Sequence, residues 1–365
     1  MKIGILGTRG IPNYHGGFEQ FTEFFASFLV KKDHDVYVYC SGSHPYQETT
    51  FNGVNLIHCK DPEDKIGTAG QFFYDLNCIR DSKKRDFDIL LQLGYTSNSV
   101  WHFLLPKKPI IITNMDGLEW KRSKYNKYVQ CFLKLAEKWA VKSSEHLIAD
   151  SLGIQSYLSR TYQRDSKFIA YGAEVFDTPS TEVIKKYKVE KESYNLIIAR
   201  MEPENNIETI LDGAVASKDN TPFLVIGKHD NGFGTYLKDK YKDKEFIQFL
   251  GGIYNLEDLN NLRYYSKLYF HGHSVGGTNP SLLEAMASNT LIVANKNEFN
   301  ETILGEDAFY FNTAQEVASI IDKKDNKNLY LEKINNNLNK INKQYTWERI
   351  NQQYLDFFLE VYEQN

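Results

Sequence analysis

The stretch HGHSVGGTNPSLLEAMA, His271 to Ala287, decides how the chain is read. It reads as the end of a strand (Lys267–His271), a loop carrying Gly272, Gly276 and Gly277, and a helix opening near Asn279-Pro280-Ser281. Proline suits the first turn of a helix, where its missing N–H would be unpaired anyway. The N–H groups of Thr278, Asn279, Ser281 and Leu282 are then expected to point out of the helix start. The macrodipole is positive there, so the stretch suits a phosphate or diphosphate. Glu284, one turn on, reaches a group attached to that phosphate. An ordinary strand-to-helix turn is the plainer reading, because Gly-Gly pairs are common punctuation. A third reading takes Gly272-His273-Ser274-Val275-Gly276 as the nucleophile elbow of a serine hydrolase. That fold needs a histidine after the serine, and His273 is the last of the nine. An elbow also enters its helix directly after the serine, whereas here residues 276–279 intervene.

Strand, glycine loop and helix recur along the chain. Lys2–Gly7 (KIGILG) is a short apolar run, expected as a buried parallel strand. The loop Thr8 to Gly17 follows, then a helix with Phe21, Phe24, Phe25, Phe28 and Leu29 at spacings of three and four. The glycines do not make G-x-G-x-x-G, so the dinucleotide fingerprint is absent. Gly16-Gly17 at the helix start suits an anion, with Glu19 in the first turn; close packing alone accounts for the pair equally simply. Further strands are expected at Asp35–Cys40, Val54–Cys59, Asp88–Leu93, Pro109–Thr113, His146–Asp150 and Lys167–Ala170, with helices at Gly67–Lys83, Tyr125–Lys142 and Ser151–Thr161. A second alternating series has strands at Tyr194–Arg200, Pro222–Gly227, Glu245–Leu250, Lys267–His271, Thr290–Ala294 and Ala308–Phe311. Alternation of this kind means parallel sheets with covered faces. The fold class is α/β: two Rossmann-like doubly wound domains, 1–173 and 174–345, then a C-terminal helix over 346–365. In the tail, Leu331, Ile334, Leu338, Ile341 and Tyr345 recur at helical spacing, so a packed helix is expected rather than disorder.

Composition excludes some classes. At 365 residues, two domains are the natural expectation. A net charge of −4, from 43 basic and 47 acidic residues, gives no nucleic-acid footprint. Cys40, Cys59, Cys78 and Cys131 are far apart with no C-x-x-C, which fits reduced thiols in a cytoplasmic protein. The start of the chain reads as a strand rather than a signal peptide, and no apolar run is long enough to span a bilayer. The lysines of Tyr125–Lys142 suit a solvated face, or peripheral contact with an anionic membrane.

Charged residues gather just beyond strand ends, where open α/β sheets place ligand groups. One group is Asn114-Met115-Asp116-Gly117-Leu118-Glu119-Trp120-Lys121-Arg122. The other is Arg200 with Glu202 and Glu204, and Lys228 follows the strand FLVIG. A guanidinium at Arg200 neutralises a diphosphate whose charge grows as the bond to it breaks. Pairing with Glu202 or Glu204 is the alternative for Arg200. His271 and His273 alone make no metal-ligand cluster, so no metal is expected.

These motifs, GTRGIP…GGFE, NMDGLEWKR, ARMEPENN and HGHSVGGTNPSLLEAM, together resemble a GT-B glycosyltransferase of retaining family 4. Within it they look like the bacterial rhamnosyltransferases of capsule and cell-wall polysaccharide synthesis. The resemblance covers nearly the whole chain. It implies a C-terminal helix packing back on the first domain, a nucleotide-sugar donor, commonly dTDP-L-rhamnose, a lipid-linked saccharide acceptor at the cytoplasmic face of the membrane, and no cofactor. Glu284 matches the second glutamate of the family's E-x7-E motif, which holds the nucleotide's sugar. Thr278, Asn279, Ser281 and Leu282, with Gly277, match the diphosphate-binding backbone. Arg200 matches the phosphate arginine, and Gly16 and Gly17 the first-domain glycine loop. Two positions depart from the pattern. The first glutamate falls at Gly276, and the lysine five residues after the arginine falls at Asn205. His271, His273, Ser274 or Asp116 would then stand in for the glutamate, and Lys228 for the lysine. The catalytic set implied is Arg200, Asp116 and Glu284. Two alternatives share the fold: a nucleotide-sugar 2-epimerase, and a non-catalytic sugar-nucleotide-binding protein.

Overall fold

The computed structural model describes residues 1–122, 125–275, 277–323 and 326–364. They form two compact units. The first holds Met1–Lys121, Tyr125–Gly172 and Trp347–Asn365; the second holds Ala173–Thr346 and the short piece Arg122–Lys124.

Eight strands build the first unit's sheet: β1 (Lys2–Leu6), β2 (Asp35–Ser41), β3 (Thr50–Phe51), β4 (Val54–Cys59), β5 (Ile89–Leu93), β6 (Ile110–Asn114), β7 (His146–Ala149) and β8 (Lys167–Phe168). Their order is β3-β4-β2-β1-β5-β6-β7-β8. Only β3, a two-residue strand not foreseen from the sequence, runs antiparallel to its neighbour. Helices cover both faces of a parallel sheet, so its central strands are buried along their length. All five residues of β5 (ILLQL) and of β6 (IIITN) are buried.

The helix Gly17–Lys31 buries Phe21, Phe25 and Leu29. The late helix Trp347–Glu363 covers that face from within the same unit. Phe24 stacks on Trp347 at 4.7 Å and 9°. The rings of Phe21 and Phe25 lie 4.8 and 5.0 Å from Tyr354. Gly172 lets the chain pass under Trp347, since a Cβ there would sit 2.5 Å from the indole.

Six strands build the second unit's sheet: β9 (Asn195–Ile198), β10 (Phe223–Ile226), β11 (Ile247–Gly251), β12 (Leu268–His271), β13 (Ile292–Asn295) and β14 (Phe309–Phe311). All pairs are parallel, in the order β11-β10-β9-β12-β13-β14. Counted within the unit this is the 3-2-1-4-5-6 order of mononucleotide-binding sheets. The order reverses between β9 and β12, and in the first unit between β1 and β5.

One expectation needs adjusting. The asparagine-rich tail breaks into Leu331–Lys340 and a wider turn, Ile341–Tyr345. Its buried face is Ile334, Asn337 and Ile341, while Leu331 is exposed. A polar residue is tolerated there because the Asn337 amide donates to the Asp307 carbonyl at 2.7 Å. Of the four thiols, Cys40, Cys59 and Cys78 are buried and Cys131 is exposed. Among the described residues, no helix is long and apolar enough to cross a membrane.

Candidate active site

The second unit concentrates functional groups at the carboxyl edge of three neighbouring strands. Arg200 follows β9, Lys228 follows β10, and His271 ends β12. Arg200 and His271 therefore flank the point where the strand order reverses, which is where such sheets bind ligands.

Arg200 is exposed. The ion pair of this cluster joins Glu204 to Arg122, at 3.7 Å, and the sequence did not foretell it. Asn205, standing where the family that the motifs resemble has lysine, is 4 % exposed and donates from Nδ2 to the Arg200 carbonyl at 2.7 Å. It fixes the backbone that carries the arginine. Lys228 is exposed, its ammonium 5.8 Å from the Tyr254 ring centroid.

The loop after β12 is tied down on two sides. Asn206 donates to the Gly272 carbonyl at 2.8 Å. Asn297 and Asn300 both donate to the His273 carbonyl, at 3.0 and 3.1 Å. Gly272 passes so close to residue 205 that a Cβ would fall 1.9 Å from its carbonyl oxygen. The Ser274 hydroxyl and N–H both donate to the Glu204 carbonyl, at 2.8 and 3.1 Å. The Ser274 proton therefore holds the loop, and its hydroxyl oxygen remains an acceptor.

The fixed loop presents two stacked imidazoles. His271 and His273 lie 4.4 Å apart between centroids, tilted by 16°. Both nitrogens of His271 and Nδ1 of His273 are buried without a hydrogen-bond partner among the described residues. Burial pushes His271 down to about 3. Burial, then His271, Arg200 and Arg122, hold His273 well below the ordinary histidine range. Both rings are neutral at physiological pH, as donors and acceptors without charge.

The helix start is more occupied than expected. The helix is Pro280–Ala287, and its N-cap Asn279 accepts from the Ser281 N–H at 2.9 Å. The Leu282 N–H bonds to the Asn279 carbonyl at 3.0 Å. The N–H groups of Ser281 and Leu282 are thus not presented to an anion, because a capping asparagine satisfies the first turn. The Ser281 hydroxyl lies 2.8 Å from that of Tyr269. Thr278 is buried, Gly277 lies in the loop before it, and Gly276 lies outside the described residues. The Glu284 carboxylate is ion-paired with Arg263, which is 1 % exposed and was not singled out from the sequence.

In the first unit, Gly16 and Gly17 form the helix start after β1, with Gly16 as N-cap. The Asn13 side chain accepts from the N–H groups of His15 and Gly16, at 3.0 and 3.2 Å. Glu19 does not wait for a ligand. It is 4 % exposed and accepts from the Arg9 N–H at 2.8 Å and the Thr8 hydroxyl at 3.3 Å, pinning the glycine loop. Asp116 follows β6 at the same carboxyl edge, with φ of +46°. Its carboxylate accepts from the Tyr171 hydroxyl at 3.2 Å. Its loop is clamped from below by the buried Glu137, which accepts from Tyr162 at 2.6 Å, Tyr157 at 2.7 Å, Trp120 at 3.1 Å and Tyr95 at 3.4 Å. Tyr95 shares its one proton between Glu137 and the Gly117 carbonyl, the latter at 3.2 Å, and accepts from the Glu119 N–H at 3.2 Å. Among the described residues, no group of three or more His, Cys, Asp or Glu side chains is placed to hold a metal ion.

Residues 180–345 match the family model described as glycosyl transferases group 1. The second unit is thus similar to group 1 glycosyl transferases. Residues 1–174 match a model described as a domain of unknown function, DUF1972. Comparison with curated proteins gives no match. Among solved structures, the chain is similar to sucrose-phosphate synthase from Thermosynechococcus elongatus: TM-score 0.81, 14% identity, all of both chains covered. Anabaena HepE in complex with UDP and glucose gives TM-score 0.77 and 16% identity, covering 99% of this chain and 100% of that one. WaaG, a glycosyltransferase involved in lipopolysaccharide biosynthesis, gives 0.73 and 12%, covering 98% and 99%. The two-domain α/β architecture with parallel sheets is that of these GT-B neighbours.

Proposed function

We propose that the protein is a retaining glycosyltransferase that moves L-rhamnose from dTDP-L-rhamnose to a lipid-linked saccharide in polysaccharide synthesis, at the cytoplasmic face of the membrane. The observation that carries the reading is the placement of Arg200 and His271 on either side of the strand-order reversal in the group 1 unit. The motif resemblance supports the rhamnosyl donor and the acceptor class. The HepE complexes with UDP and with UDP-glucose support a nucleotide-sugar donor in general.

In this reading Arg200, with Lys228 beside it, neutralises the diphosphate, and Glu284 holds the nucleotide's sugar through its 3′-hydroxyl. The neutral pair His271 and His273 meets the donor sugar in place of the missing glutamate. Asp116 orients a sugar or acceptor hydroxyl. The bond from anomeric carbon to phosphate oxygen breaks, the acceptor oxygen bonds to that carbon on the same face, and the acceptor proton goes to the departing phosphate oxygen. Such a step needs charge stabilisation and positioning more than a general base. No cofactor or metal takes part.

The test is a panel of dTDP, UDP and GDP scored by the rise in melting temperature, followed by transfer assays. Arg200→Ala and Glu284→Ala are expected to cut transfer by on the order of a hundredfold. The reading fails if no nucleotide raises the melting temperature, or if both variants transfer like the unaltered protein. Conversion of donor without acceptor would make it an epimerase, and binding without transfer a sugar-nucleotide-binding protein.

A further inference from the structure

Arg263 lies in the last turn of the helix Leu256–Tyr264 and is 1 % exposed, among the largest fully buried side chains of the protein. Its Nη2 pairs with Glu284 Oε2, and its Nη1 donates to Asn260 Oδ1 at 3.0 Å. Its Nε is buried with no hydrogen-bond partner among the described residues.

A guanidinium stays charged at any physiological pH, and burying it is costly. Packing does not explain it, because an apolar side chain would fill the space without leaving a buried donor unpaired. Its one charged contact in this setting is the carboxylate of the helix that follows the β12 loop. An ion pair of this kind fixes the direction of both groups.

We infer that Arg263 is a positioning residue of the site: it holds Glu284 in the geometry that receives the 3′-hydroxyl of the nucleotide's sugar. This rests on the reading of Glu284 given above. Arg263 need not touch the ligand, and its effect is confined to the part of the nucleotide that Glu284 recognises.

The experiment compares dTDP with its 2′,3′-dideoxy analogue by calorimetry, with inorganic pyrophosphate as a competitor that lacks the sugar. In the unaltered protein the analogue is expected to bind about tenfold more weakly, since a hydrogen bond to a charged group is lost. In Arg263→Met the ratio falls to roughly threefold or less, while pyrophosphate competes as before; Arg263→Lys, which keeps the charge, recovers part of the ratio. A full ratio in Arg263→Met overturns the inference. Equal binding of dTDP and its analogue by the unaltered protein overturns instead the role given to Glu284. Should Arg263→Met not fold, the unaltered protein decides. Its Arg263 Nε–H resonance must shift on adding dTDP and much less on adding the analogue, and equal shifts sink the inference.

Discussion

Replacing Glu137 separates support of the Asp116 loop from nucleotide binding. Glu137 is 1 % exposed and accepts from four donors. Tyr157 is pushed up to about 12, first by burial and then by Glu137, and Tyr162 is raised for the same reasons, so both hydroxyls remain donors. A hydrogen bond to a charged acceptor contributes about 1.5–3 kcal/mol, and the members of one network do not add. Counting the two short tyrosine bonds in full and the others weakly, Glu137→Leu costs on the order of 4 kcal/mol. Glu137→Gln retains one oxygen for the tyrosine pair but turns an amide toward the Trp120 N–H, itself only a donor. It costs about 1–2 kcal/mol. The assay is urea unfolding followed by tryptophan fluorescence. All four tryptophans (101, 120, 139 and 347) lie in the first unit, so the signal reports that unit. Nucleotide affinity, which belongs to the second unit in our reading, should hold in Glu137→Gln while transfer falls. A cost below roughly 1 kcal/mol in Glu137→Leu, or transfer unchanged in Glu137→Gln, would refute the clamp.

Two further predictions concern buried polar groups. Burial pushes Asp75 up to about 7, against the Ser97 hydroxyl at 2.5 Å and the Arg9 charge, which favour the ionised form. Between the unfolded value near 3.8 and about 7 the unfolded chain releases this proton and the folded chain keeps it, so rising pH removes stability across that window and not above it. Asp75→Asn should therefore match the unaltered protein near pH 4 and exceed it at pH 8, by at most on the order of 4 kcal/mol in urea titrations; an equal difference at both pH values rejects this. Restoring the family's lysine with Asn205→Lys should lower the melting temperature and not raise transfer. It removes the bond to the Arg200 carbonyl and places a charge where the side chain is 4 % exposed; a faster enzyme would show that the asparagine is a deficit.

Most of the architecture was legible because parallel strands are apolar runs and helices repeat at three and four. IIIT and FLVIG announce themselves, whereas the two-residue strand Thr50–Phe51 has too little pattern to read. In the site, the backbone positions of Arg200, Lys228, His271 and Glu284 were legible from the ends of strands and the glycine loop. Their partners were not. Arg263 is 21 residues from Glu284, and in LEDLNNLRYY it looks like one more surface charge. The one clue was its place four residues after Leu259, on a face that also carries apolar residues. Glu137 was hidden in the same way, inside a helix read for its lysines. The asparagine cap took up N–H groups that a helix start by itself seemed to offer, a competition between side chain and ligand that residue spacing does not express.

The return of Trp347–Glu363 to the first unit gives the chain a direction of assembly. The aromatic face of Phe21, Phe24 and Phe25 is made early by the ribosome, but the helix that covers it follows the whole of residues 173–346. At about 5–20 residues per second that interval is on the order of ten to thirty seconds. The second unit, continuous apart from three residues, has all its strands in hand before the first can close. During that interval the nascent chain carries an open aromatic surface, a natural place for a chaperone to hold it.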